Sequence, residues 1–231
     1  CAAEFSKEPE CIFQAAGYRV RKRTGKNKMS VSNLVIKITD ALKPVLVKII
    51  PQEYLSRAKK AYMNRNTTKL KDAKIAPYKP GRYAEGINLI GSIQAASGLG
   101  QSSRLVAAEL EASGMPYSIK EHHISEQLSM TEHEFDAKFS DELPYDINLL
   151  HINAHEFTVS YMQLGKQVWD YRYNIAFWLW ELEEFPAEGI DCISIVDEIW
   201  TPAEFVSNSI RKVTDKPVHT IPYHVTAPTD D

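Results

Sequence analysis

The chain has 231 residues and a mass of 26.2 kDa, enough for one domain with an appendage or for two small domains. Its 44% hydrophobic, 25% charged and 10% aromatic residues are typical of a globular protein and exclude a disordered chain or a coiled-coil rod. No apolar run reaches about eighteen residues, so the sequence predicts no membrane-spanning helix. The three cysteines are widely spaced, which excludes a disulfide framework and a Cys-x-x-Cys zinc site and indicates a reducing compartment. There is no signal peptide and no initiator methionine, so we expect a fragment or a processed start.

The net charge of −3 conceals a sharp division along the chain. Residues 18–82 carry a net charge of +15, whereas residues 83–231 carry −16. Such a change of sign indicates two units with different partners. The run PYKPGRYAEG, from Pro77 to Gly86, has the prolines and glycines of a linker. We therefore predict a basic segment over 1–82 and a second domain over 83–231.

The basic segment mixes apolar and basic residues between Asp40 and Tyr62, and Pro44 and Pro51 interrupt any single long helix. It is therefore predicted to be partly helical. One interpretation is an interfacial helix on an anionic membrane surface. The alternatives are a connector that packs on the acidic domain, or the tail of an upstream domain. Nucleic acid is not expected as a partner, because aromatic residues are sparse here and no recognition motif occurs.

After residue 85 the sequence alternates between strand and helix patterns. Nearly continuous apolar runs predict strands over 86–91, 117–120, 147–152, 175–182, 198–200 and 218–221. A first helix is predicted to end at Gly114, and capping-box patterns at 131–134 and 201–204 predict two further helix starts. This alternation predicts an α/β fold, a Rossmann-like open and mostly parallel sheet with helices on both faces.

Ligands of an open α/β sheet bind outside the carboxyl ends of the strands, so the residues after each strand are the candidates. Gly98 and Gly100 follow the first strand, just before Gln101, Ser102 and Arg104 in a helix start. Such glycines either let the backbone approach a phosphate or simply make a turn. A dinucleotide fingerprint is not met, because Ser103 stands at its third glycine position.

Two histidines lie near the end of the 147–152 strand. His151 falls inside the strand and is predicted to be a satisfied core residue. His155 follows the strand and is the better candidate for acid–base work or for binding a hydroxyl group. Their spacing aligns metal ligands only on a helix, and His122, His123 and His133 suggest no compensating cluster, so we expect no metal site.

The strand over 175–182 is aromatic and ends in carboxylates. Trp178 and Trp180 alternate along it, and Glu181, Glu183 and Glu184 follow. One interpretation is a sugar-binding aromatic face with catalytic carboxylates. The other is core tryptophans followed by a solvated acidic loop.

The run GINLIGSIQAASGLGQSSRLVAAELEASGMPY, which begins at Gly86, resembles the opening of bacterial family 4 glycosyltransferases. In that family a strand, a Gly-x-Gly loop and a helix ending in small-small-Gly-hydrophobic-Pro recur. The runs NIAFWLWELEEFP and VDEIWTPAEFVSNSI are similar to the family's Trp-Glu strand and to its Ile-Trp-x-Pro-Ser-x-Phe helix start. The resemblance covers residues 86–225 in order and spacing, with Ala203 where the family usually has serine.

The resemblance implies the amino-terminal, acceptor-side lobe of a two-lobed GT-B enzyme, with the donor lobe beyond Asp231. It implies transfer of a sugar, with retention, from a nucleotide-sugar to a polysaccharide or lipid-linked acceptor. No tightly bound cofactor and no metal requirement are expected. We assign the Gly98–Gly100 loop to the charge on the leaving diphosphate, and His155 and Glu181 to the acceptor. A β-branched residue at Gly100 is then expected to block catalysis and leave the fold intact.

The resemblance also implies a cytoplasmic bacterial enzyme of cell-envelope polysaccharide synthesis, on the inner face of the plasma membrane if the basic segment binds lipid. The second hypothesis is a non-catalytic α/β domain that binds a ligand or another protein. Sugar transfer by a longer product of the gene would favour the enzyme.

Overall fold

The computed structural model describes Leu70 and residues 73–124 and 128–224. The predicted basic segment lies outside these ranges up to residue 69, so its partial helicity remains a prediction. Between residues 84 and 220 the strands and α-helices follow in this order: β1 Ala84–Gly91, α1 Gly98–Ser113, β2 Tyr117–Glu121, β3 Tyr145–His151, α2 Phe157–Leu164, α3 Lys166–Trp169, β4 Tyr173–Phe177, α4 Ala187–Ile190, β5 Glu198–Thr201, α5 Glu204–Arg211 and β6 Val218–Thr220. Short 3₁₀ helices cover Asp136–Lys138, Ala154–Glu156 and Asp191–Ile195.

The six strands form one open sheet in the order β2-β1-β3-β4-β5-β6, and every neighbouring pair is parallel. The predicted Rossmann-like α/β class is confirmed. The chain leaves β1 towards β2 on one side and returns to β3 on the other. The carboxyl ends of β1 and β3 therefore form a topological switch point, where an open sheet leaves a crevice.

Both faces of the sheet are covered, because consecutive strand residues contribute to opposite core clusters. Leu89 and Leu149 pack on one side, and Ile90 and Leu150 pack on the other. Helix α1 covers the first side with Val106, Ala107 and Leu110, and helices α2, α3 and α5 cover the second with Phe157, Trp169, Val206 and Ile210. Burial on both faces explains the nearly continuous apolar runs of these parallel strands.

A ladder of polar side chains crosses the interior of the sheet. Asn88, Asn148 and Asn174 are paired in register on neighbouring strands, and Ser118 pairs with Asn88 on the other side. The Asn88 amide donates to Asn148 Oδ1 at 3.0 Å, and the Asn148 amide donates to Asn174 Oδ1 at 2.9 Å. All four side chains are buried, so their polar atoms need partners within the protein, and backbone carbonyls such as those of Val168 and Trp169 complete the ladder.

The aromatic strand is shorter than predicted, since β4 ends at Phe177 rather than at residue 182. Its neighbour β5 has only four residues, and the last backbone bond between the two regions joins Trp178 N–H to the Trp200 carbonyl at 2.9 Å. Residues 178–180 follow without regular secondary structure. Trp178 is nonetheless fully buried, as the core interpretation expected.

Both predicted capping boxes are wrong. Thr201 is the last residue of β5, and its hydroxyl bonds to Ser207 Oγ at 2.7 Å instead of capping a helix. Helix α5 starts at Glu204 with Ala203 as its N-cap, which has no side-chain hydrogen bond. Near Thr131 the chain forms only the three-residue 3₁₀ helix that begins five positions later.

The residues just before the predicted domain boundary contact the sheet domain. Leu70 is buried in one of the two core clusters. The Ala76 N–H donates to Asp170 Oδ1 at 2.7 Å, and the Tyr78 hydroxyl donates to Asp146 Oδ2 at 2.9 Å. Among the described residues, every helix is too short or too polar to cross a lipid bilayer.

Candidate functional site

A cavity of about 220 Å³ lies at the carboxyl ends of β1, β2 and β3, beside the start of α1. It occupies the switch point of the sheet, where open α/β folds bind their ligands. Its wall is formed by Ser92, Ser97, Leu99, His122, His123, Ile124, Leu128, His151, Ile152 and Glu156. The cavity therefore lies where the strand-end rule predicts a ligand site.

The first turn of α1 forms one side of the cavity through Ser97 and Leu99. Ser97 is the N-cap, with φ −147° and ψ 165°, and its hydroxyl accepts the Gly100 N–H at 3.1 Å. The first N–H groups of a helix have no partner inside the helix, and the helix dipole gives that end a partial positive charge. The predicted strand, Gly-x-Gly turn and helix thus meet at the cavity.

The two predicted glycines have different environments. Gly98 is the exposed first residue of α1, and a Cβ added there would meet nothing within 4 Å. Gly100 is buried, and a Cβ there would lie 2.9 Å from the Ser92 carbonyl oxygen and closer still to that of Ala95. The expectation that a β-branched residue at Gly100 leaves the fold intact is therefore wrong, because the helix packs directly on this backbone.

Three other predicted binding residues also follow on α1. Arg104 donates to the carbonyl oxygens of Ile93 and Ala95 at 2.7 and 3.0 Å, and Gln101 Oε1 accepts a third bond from it at 2.9 Å. These two side chains hold the loop after β1. Ser102 is buried and bonds to a histidine of the cavity. Gly98, Gly100 and these three residues lie behind or beside the cavity wall, not on it.

His151, predicted as a satisfied core residue, is fully buried but only half satisfied. Its Nε2 lies 2.7 Å from Ser102 Oγ, which also bonds to the Tyr223 hydroxyl. Its ring stacks on Phe177 with centroids 4.9 Å apart. Its Nδ1 is buried without a hydrogen-bond partner from another residue. Burial lowers the pKa of His151 to about 4, so the ring is neutral at pH 7.

A pair of histidines after β2, which the sequence analysis set aside, forms the opposite wall. His122 Nε2 lies 2.9 Å from Ser160 Oγ, and burial lowers the pKa of His122 to about 4. His123 Nδ1 lies 3.6 Å from Glu121 Oε1, and burial raises the pKa of Glu121. The sequence did point to these two histidines as candidates, because both come shortly after a predicted strand. Among the described residues, no three His, Cys, Asp or Glu side chains are arranged to hold a metal ion.

His155 and Glu181, the predicted acceptor contacts, are both exposed and do not line the cavity. His155 lies in the 3₁₀ helix after β3, and the neighbouring Glu156 lines the cavity in its place. Burial raises the pKa of Glu156. Glu181 lies in the loop after β4, where Trp180 Nε1 donates to the Glu184 carbonyl at 2.7 Å. The roles given to His155 and Glu181 remain predictions.

The site can bind a small ligand through hydrogen bonds and apolar contact. The two serine hydroxyls of its described wall are held in structural bonds, since Ser92 Oγ donates to the His122 carbonyl at 3.0 Å and Ser97 Oγ accepts the Gly100 N–H at 3.1 Å. The chain matches no protein-family model, no curated protein and no solved structure.

Proposed function

We propose that this chain is the acceptor-side lobe of a retaining glycosyltransferase that resembles the bacterial family 4 enzymes. It would transfer a sugar from a nucleotide-sugar to a polysaccharide or lipid-linked acceptor, with a donor lobe from outside these 231 residues. The observation that carries the proposal is the cavity beside α1. The strand and helix of the resembled motif are β1 and α1, and Ser97 and Leu99 at the turn between them line the cavity.

The exposed start of α1 suits the diphosphate that leaves during transfer. Negative charge develops on that group, and backbone N–H groups at a helix start stabilise an anion without loss of side-chain entropy. Gly98 is exposed, and a Cβ added there would meet nothing within 4 Å, so a ligand has room beside the start of α1. We assign Gly98 and its neighbour Leu99 to this electrostatic role, and Gly100 to packing.

The acceptor would enter the cavity between the loops that follow β2 and β3. His122, His123 and Glu156 offer polar groups there, and His155 and Glu181 remain candidates for its outer part. We place the enzyme at the inner face of the plasma membrane, because the net charge of +15 on residues 18–82 would be attracted to anionic lipids. Deleting 18–69 should then abolish flotation with anionic vesicles at low salt, and equal flotation of both proteins would contradict this placement.

The proposed activity is tested with the complete product of the gene and a panel of radiolabelled nucleotide-sugars. Leu99→Trp should fill the cavity and reduce transfer at sub-saturating acceptor by tenfold or more, about 1.4 kcal/mol or above. Met115→Trp is the matched control, since Met115 is exposed and precedes the amino end of β2, whereas the cavity lies at the carboxyl ends of the strands. A folded protein that transfers no sugar from any donor would overturn the proposal, as would a wild-type rate in Leu99→Trp.

A further inference from the structure

We infer that the chain's own basic residues 40–69 dock on the face of the sheet that is covered by α2, α3 and α5. The docking surface consists of the outer side of α2, the loop over 180–184 and the turn that follows α5. The inference stands apart from sugar transfer, since it concerns only how the two predicted units of the chain contact each other. It follows from the place where the described chain begins, from half-covered apolar side chains at that face, and from charge.

The described chain begins at this face of the sheet. Leu70 is 1% exposed and belongs to the core cluster that also contains the buried residues of α2, α3 and α5. Ala73 and Ile75 pack against the same cluster. The cluster on the α1 side contains no described residue that precedes β1. Residues 40–69 are therefore attached to the domain at the α2, α3 and α5 side.

Several apolar side chains around this cluster are only partly covered. Four that pack against it and remain half-buried are Tyr161 and Leu164 in α2, Trp180 after β4 and Val213 after α5. Leu182, in the loop after β4, is 62% exposed. Apolar surface that is contiguous with a core and still open to solvent marks a place where another apolar element packs.

The basic segment has apolar side chains that suit this surface. The sequence between residues 40 and 69 contains Leu42, Val45, Leu46, Ile49, Ile50 and Leu55. The first four recur at the spacing of one face of a helix. The chain from Leu55 to Leu70 spans at most about 50 Å when extended, so these residues reach across a helix as short as α5, which is about 12 Å long.

Charge favours the same pairing. Residues 40–69 carry seven lysines and arginines against two carboxylates, a net charge of +5. The loop after β4 presents three exposed carboxylates, those of Glu181, Glu183 and Glu184. Within the described ranges only one of these three has a cationic neighbour, since Lys212 Nζ lies 3.7 Å from Glu183 Oε1. The other two can attract lysines of the segment while its apolar residues cover the half-buried side chains.

The test uses the full 231-residue chain as an equal mixture of ¹⁵N-labelled and unlabelled protein. A carbodiimide joins lysine amines to carboxylates that touch them, and the cross-linked peptides are identified by mass spectrometry. We expect links within one isotope from the lysines of the segment to the carboxylates of the loop: Lys43, Lys48, Lys59 or Lys60 to Glu181, Glu183 or Glu184. Links only between different isotopes would show that a second copy fills the surface, and that result, or the absence of any such link, would overturn the inference.

A charge-reversed variant gives a second measurement. Glu183→Lys combined with Glu184→Lys changes two exposed side chains and leaves the core intact. Trypsin should then cleave within residues 40–69 roughly threefold faster or more, the scale of one or two surface ion pairs. The matched control is Glu132→Lys with Glu134→Lys, which adds the same charge beside Phe135, a residue that packs on the α1 side of the sheet. The control should be cleaved at the wild-type rate.

The two variants separate a specific surface from a general attraction between unlike charges. Equal acceleration of cleavage in both would show that net charge alone holds the segment, and the inference would fail. Unchanged cleavage in the Glu183 and Glu184 variant would refute it as well. Tryptophan fluorescence of both variants checks that the core around Trp169 and Trp178 is retained.

Discussion

Alanine substitution at Gly98 and at Gly100 should change stability in opposite directions, although the two glycines are only two residues apart. At Gly98 the added methyl group meets nothing within 4 Å. The substitution mainly restricts the unfolded chain, so the free energy of unfolding should rise by about 0.5 kcal/mol. At Gly100 the methyl group falls within 2.9 Å of the Ser92 carbonyl oxygen and nearer to that of Ala95. Both obstacles are backbone atoms, so overpacking should cost about 1–3 kcal/mol.

The assay is urea unfolding followed by tryptophan fluorescence, with Trp178 and Trp169 as buried reporters. The two glycine variants also distinguish a role of this turn in packing from a role in ligand binding. If the backbone at Gly98 meets a diphosphate, Gly98→Ala should weaken nucleotide-sugar use while it stabilises the fold. Equal unfolding midpoints for Gly98→Ala and Gly100→Ala would show that the contact with Ala95 does not constrain the helix, and the reasoning would fail.

Three further changes test other parts of the structure. Ala203→Ser should stabilise the protein by about 1 kcal/mol in thermal unfolding, because Ala203 is an exposed N-cap with extended backbone and no side-chain bond; an unchanged midpoint would contradict this. Asn148→Ala should cost about 1–3 kcal/mol in urea, since it removes the acceptor of one Asn88 amide proton and the donor to Asn174 Oδ1; an unchanged midpoint would contradict a ladder role. His122 and His151 should make stability depend on pH. Their folded pKa values of about 4 lie below the unfolded value of 6.5, so the unfolded chain binds protons first, and stability present above pH 6.5 should be lost as the pH falls towards 4. A flat urea midpoint between pH 7 and pH 4.5 would be inconsistent with neutral buried rings.

The sheet could be predicted from the sequence because its strands are apolar on both faces. Leu89 and Ile90 enter opposite core clusters, and this leaves a continuous apolar run that is visible without a structure. The end of α1 was equally visible, since Gly114 adopts the left-handed conformation (φ 69°) that a helix C-cap favours. The end of β4 could not be predicted, because it depends on how many partner residues the neighbouring strand supplies.

The strand-end rule led to the cavity, but the residues it singled out do not line that cavity. The strand-end rule led to the ends of β1 and β3, yet it favoured His155 over His151. A histidine at the last strand position faces the core or the cavity according to the local pleat, and no sequence pattern fixes that direction. His122 and His123 were missed because they were tested only as metal ligands. The capping box predicted at Thr201 is absent because the direction of the Thr201 side chain could not be read from the sequence. Its hydroxyl bonds to Ser207 and not to the helix start.

The asparagine ladder has a consequence for the way the domain unfolds. Asn148 bonds to side chains on both neighbouring strands, so a sheet that has lost β3 leaves Asn88 and Asn174 each short of one hydrogen-bond partner. States in which only some of the strands β2, β1, β3 and β4 are paired are therefore less stable. These four strands should exchange their amide protons as one cooperative unit. Strands β5 and β6 lie beyond the ladder and are free to open earlier. The cavity is built on the ends of the first three strands of that unit, so the floor of the site belongs to the slowest-opening part of the sheet.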